Sequence, residues 1–132
     1  MVGSILRSWT WRILIIIVIG SVGYSLLKIQ SGPRAIRPVA GQVIDPILLP
    51  NIENYADEVD ANRGDPKIRM HLGMTYEAAT LNTLAEATYL QFVKLFPKRA
   101  IGWYRLAVRQ ERHGTLDDAI FSIQRAAGFS GD

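Results

Sequence analysis

The chain has 132 residues, a net charge of +3 and no cysteine. That length suits one small folded domain with accessory segments, and the missing cysteines exclude disulfides, thiolate metal sites, c-type haem attachment and thiol nucleophiles. Arg7, Arg12, Lys28, Arg34 and Arg37 carry the basic excess ahead of Pro38, so the rest of the chain is mildly acidic and lacks the basic stripe of a nucleic-acid binder.

Ile13 to Leu27 reads ILIIIVIGSVGYSLL, without a charge. It predicts a membrane helix over about 11–29, within an anchor segment 1–29. The apolar run falls short of the roughly 20 residues that span a bilayer. Trp9 and Trp11 at headgroup level, with Arg12 and Lys28 snorkelling outward, would extend it. A buried soluble helix with no polar face would need a large surrounding core. A cleaved signal peptide leaving at Ser21-Val22-Gly23 is the competing reading, but the apolar run continues through Tyr24, Leu26 and Leu27, which favours a retained single-pass anchor in the lipid bilayer. Gly20, Ser21 and Ser25 either let another membrane helix approach closely or reflect only the frequency of such small residues in membrane helices. No His, Met or Cys lies in the run, so axial haem ligation there has no support. Basic residues flank the run on both sides. The count, two before and three after, slightly favours a cytoplasmic C-terminal side; the C-terminal part is nonetheless expected on the extracytoplasmic side, because a short basic N-tail usually stays inside.

Residues 30–50 hold Gly32, Pro33, Pro38, Gly41, Pro46 and Pro50, a density that blocks helix and predicts an extended linker. Val39, Val43, Ile44, Ile47, Leu48 and Leu49 are too apolar for a freely solvated chain. The segment is either a plain tether or lies along the domain, the bilayer surface or a partner. Residues 51–62 then place Ile52, Tyr55, Ala56 and Val59 at helical spacing, giving a short amphipathic helix. Arg63-Gly64-Asp65-Pro66 breaks it, with Asp65 as the next N-cap and Pro66 at the first helical position. Capping explains this stretch better than a chance match to an Arg-Gly-Asp adhesion tripeptide.

Residues 66–99 and 100–132 align without a gap at a period of 34, and each block shows two helical stretches with a break between them. The helices are expected at about 66–80, 84–97, 100–113 and 116–128. Asn82 or Thr83 should start the second, and Gly114 should provide a left-handed turn before Thr115 caps the fourth. Leu72, Gly73, Tyr76, Ala85, Tyr89 and Pro97 in the first block, and Trp103, Leu106, Ala107, Ala119 and Ala126 in the second, carry the motif. This pattern resembles the tetratricopeptide repeat (TPR) family, over about half the chain. Arg69 stands where the first block would have Trp, Gln110 where the second would have Tyr, and Phe92 replaces a usual Ala. The resemblance implies a short α-solenoid over 51–132; with the apolar run and the proline-rich segment the expectation is an all-α protein of N-terminal transmembrane helix, extended Pro-rich linker and solenoid.

It also implies a concave face formed by the first helix of each pair, with Lys67, Met70, Met74, Glu77 and Ala78 from one and Ile101, Tyr104, Val108, Glu111 and Arg112 from the other. Met70, Met74, Glu77, Ile101, Tyr104 and Val108 are the expected partner-binding groove. The Lys and Asn of carboxylate-gripping TPR domains are missing there, and the groove reads as apolar and adaptable. Alternatively, Met70 and Met74 pack on the 51–62 helix. A second expected partner surface is the last helix, where Ile120, Phe121, Ile123 and Phe129 spread over more than one face and cannot all hide against one neighbour.

No metal-ligand spacing involves His71 or His113, and no phosphate loop or nucleophile elbow occurs. Glu77 and Glu86 read as a solvated face. The sequence therefore points to a non-catalytic protein without cofactor, small-molecule substrate or nucleic acid. It would hold other subunits of a membrane protein complex, or a copy of itself, as an accessory or scaffold subunit. A transient assembly factor is the alternative.

Overall fold

The computed structural model describes residues 13–21, 23–24, 32–39, 42 and 44–130. Residues 13–21 and 23–24 are helical, and the side chains from Ile13 to Ile19 are exposed. Among the described residues no helix is long and apolar enough to cross a membrane, which corrects the expectation of a single-pass anchor, and with it the membrane location and orientation. The expected flanks (Trp9 to Arg12 and Lys28) and Ser25 lie outside the described residues. Of the small-residue side, Gly20 has open space around it, and the Ser21 hydroxyl donates to the Val18 carbonyl at 2.9 Å rather than to another helix.

Five helices follow: α1 (Leu49–Ala61), α2 (Pro66–Ala78), α3 (Asn82–Leu95), α4 (Ala100–His113) and α5 (Leu116–Gly128). Each packs on its neighbour in sequence. Leu72, Tyr76, Ala85, Tyr89, Phe92 and Leu106 are buried at the centre, joined by Ile52, Ala56 and Val59 from α1. Two glycines set the closest approaches. A Cβ on Gly73 would stand 2.5 Å from the Tyr89 ring, and one on Gly102 would stand 2.3 Å from the Phe92 ring. These two aromatic side chains occupy the space a larger residue would need.

α1 begins two residues earlier than expected, because Pro50 sits in its first turn, where the missing N–H is not required. Asp65 caps α2 as predicted, accepting from the Lys67 amide at 2.7 Å. α3 starts at Asn82 without a side-chain cap. Leu81 at the cap position is buried in the core, and the Asn82 side chain instead accepts from Arg109 of α4 at 2.7 Å. Gly114 takes the left-handed conformation (φ 80°) and Thr115 follows, but its hydroxyl donates back to the Gln110 carbonyl rather than capping α5.

Residues 32–39 lie along the first helices as an extended strap. The fully buried guanidinium of Arg69 donates to the Pro33 carbonyl at 2.8 Å and to the Gln91 side chain at 2.5 Å. The Tyr76 hydroxyl donates to the Ile36 carbonyl. The Ala35 amide donates to Asp60 at 2.8 Å, and Arg37 pairs with Asp57 and Asp60 at 2.7 and 2.9 Å. Burial lowers the Arg69 pKa, with the nearby Asp60 charge opposing, and raises Tyr76 to about 12. Burial raises Asp60, yet the bonds from Arg37 and Ala35 outweigh it and hold the carboxyl below its usual value. The segment expected as a linker is thus part of the folded domain at least from Gly32 to Val39.

Candidate functional site

The two helix pairs repeat at one step: α2 and α4 start at Pro66 and Ala100, and α3 and α5 start at Asn82 and Leu116, 34 residues apart in both cases. Corresponding positions therefore allow the two pairs to be compared face by face.

The outer face of the first pair is covered by α4. Glu77 lies between three helices. Its carboxylate accepts from the Tyr89 hydroxyl at 2.9 Å and from Arg105 at 3.1 Å. Arg109 Nε stands 2.9 Å from the other carboxylate oxygen, off the line of a hydrogen bond. Burial, followed by the Glu77 charge, pushes the Tyr89 hydroxyl well above its ordinary pKa. His113 pairs with Glu86 at the far end of α4. Glu77 and Glu86 are therefore interface groups between the pairs and not a solvated face. The spacing of carboxylates could not show this, because the cations that meet them stand a full repeat later.

The remaining expected groove residues divide between clefts. Met70, Met74 and Ile101 share a shallow cleft of about 180 Å³ with Pro66, His71 and Phe92. Met70 is buried, while Met74 and Ile101 are exposed. Met74 also borders a second cleft, with Tyr55, His71 and Leu48 at the rim of α1. Tyr104 and Val108 belong elsewhere. They line a trough of about 440 Å³ between α4 and α5, together with Ala107, Glu111, Leu116, Ala119, Ile120 and Ile123. Leu116, Ile120 and Ile123 are 60, 54 and 43% exposed in this largely apolar trough.

Two of the six expected groove residues and two of the four expected on the last helix thus form a single site. Ile120 and Ile123 of the last helix meet Tyr104 and Val108 of the groove. Phe121 and Phe129 turn to another side, where Arg125 lies 5.6 Å over both Trp103 and Phe121 and 5.9 Å over Phe129. Leu116 is absent from the sequence-derived site. Its signal was readable, since an apolar residue stands where the first pair has Asn82.

Among the described residues no group of three His, Asp or Glu side chains could hold a metal ion. No protein-family model, curated protein or solved structure matches the chain.

Proposed function

We propose that this chain is a non-catalytic, TPR-like helical adaptor that acts as an accessory subunit holding another protein through its last helix pair. One observation carries the reading: the apolar trough of Tyr104, Val108, Leu116, Ile120 and Ile123 is left open by the described residues. A contiguous exposed apolar surface of this kind marks an interaction site. The 34-residue step of both helices and the close approaches at Gly73 and Gly102 support the repeat assignment. Transient assembly work is the second reading, favoured by the exposed Met74 beside the α1 rim, since methionine surfaces adapt to several partners.

The test is native co-purification of the full chain. A permanent subunit stays stoichiometric with its complex, and Tyr104→Glu should release it while the circular dichroism of the chain stays unchanged. Full retention after both Tyr104→Glu and Met74→Glu would contradict the adaptor reading. A partner lost only with Met74→Glu would move the function to the α1 rim.

A further inference from the structure

The trough corresponds position for position to a surface whose occupant is visible within the same molecule. Thirty-four residues earlier, Glu77, Asn82, Glu86 and Tyr89 stand where Glu111, Leu116, Ile120 and Ile123 stand in the second pair. In the first pair a helix, α4, packs over the Glu77–Tyr89 side of this surface, while Asn82 and Met74 keep an exposed edge. Arg105 and Arg109, one turn apart on α4, meet Glu77, and Arg109 also donates to Asn82. His113, one turn further on, meets Glu86. Tyr89 is fully buried there, whereas Ile123 is 43% exposed.

The differences between the two surfaces define the chemistry of the missing occupant. Glu111 keeps the acid that receives basic residues in the first pair. Leu116 and Ile120 replace the polar Asn82 and the acidic Glu86, so the occupant's next turn must be apolar. Ala126 and Ala127 replace Phe92 and Val93, the side chains that confine α4 to a glycine at Gly102. A larger residue fits at that point.

We infer that the α4–α5 trough receives an amphipathic helix of another protein, laid as α4 lies on the first pair, with a basic residue over Glu111 and an aliphatic residue about one turn later over Leu116 and Ile120. A second copy of the chain fits less well through its other end, because the outer side of α1 exposes Glu53, Asn54 and Asp57 and would set acid against Glu111. The inference rests on the adaptor reading for its biological meaning, and its test is independent of it.

The probe is a helix-stabilised peptide copying Ala100–His113 with His113→Leu, titrated into the full chain. Binding is expected, and Ile120→Glu in the full chain should weaken it by about tenfold or more, because it places a charge in the apolar trough. Glu111→Arg should weaken it, and a peptide carrying Arg105→Glu and Arg109→Glu should recover binding to that variant. Equal affinity for the Ile120→Glu chain, or no binding at millimolar peptide, overturns the inference. So does concentration-dependent dimerisation abolished by Ile120→Glu, which would give the trough to a second copy, or protection of the trough by residues 13–21 of the same chain. Failure of the peptide with loss of the native partner on Met74→Glu would reject this inference and leave the adaptor reading standing. Peptide binding with an unaffected native complex would do the reverse.

Discussion

The first helix pair is enclosed and the second is not. Around α2 and α3 the strap 32–39 lies on one side, α1 on another and α4 on a third, and Tyr76 and Tyr89 reach zero exposure. Around α4 and α5 the corresponding positions are Gln110 and Ile123. Gln110 satisfies itself inside the pair by accepting from Ser122 at 2.7 Å, while Ile123 remains bare. The strap positions repeat as well. Arg69 and Gln91, which hold the strap, correspond to Trp103 and Arg125, which stack on each other at the surface. One 34-residue pattern thus serves two roles, and neighbours decide which: a solenoid unit buries its apolar faces only against the next unit.

Paired substitutions at corresponding positions can break this comparison. The largest difference is expected at Tyr89 and Ile123. Tyr89→Ala should cost about 3–5 kcal/mol in denaturant unfolding, through the cavity and the lost ring packing on Gly73. Ile123→Ala should cost less than about 1 kcal/mol. Equal losses would mean that the last pair is as enclosed as the first.

Glu77 and Glu111 form the next pair. Glu77→Ala leaves Arg109, which is nearly buried, without its carboxylate and should cost about 3 kcal/mol. Glu111→Ala should stay within about 0.5 kcal/mol in the chain alone. A smaller contrast lies in the turns. Thr80 holds a positive φ of 58° where the second pair has Gly114 at 80°. A β-branched residue is strained there, so Thr80→Gly should raise stability by up to about 1 kcal/mol, and Gly114→Thr should lower it by a similar amount.

The smallest effect concerns pH and the strap. Asp60 is held below its ordinary value of 3.8 in the folded chain. Its contribution is complete above that value and is lost as pH falls through the lower folded one. Strap release should therefore appear only below about pH 4, read from the Ala35 amide chemical shift, with the Ser122 amide unchanged. Simultaneous movement of both would show that strap and last pair open together.

The helices were legible because their punctuation is local: Asp65-Pro66, Gly114 and the 3.6-residue spacing of Ile52, Ala56 and Val59 act within a turn or two. The strap was only half legible. Its prolines showed an extended chain and its apolar residues showed that it rests on something. Arg69 gave no sign that it would hold a carbonyl 36 positions away. Glu77 misled for the same reason, as its partners lie on the next pair. The apolar run from Ile13 misled differently: hydropathy scores composition, and among the described residues no helix is long and apolar enough to cross a membrane. The trough itself was present in the repeat alignment, but its residues were divided between two expected surfaces because helix faces, and not the seam between α4 and α5, organised the reading.

Native-state hydrogen exchange on the full chain tests the central asymmetry most directly. Amides at Tyr76 and Tyr89 should exchange only through global unfolding, and those at Ser122 and Ala126 through local openings at least about 2 kcal/mol easier. A single opening free energy shared by α2, α3 and α5 would contradict the account.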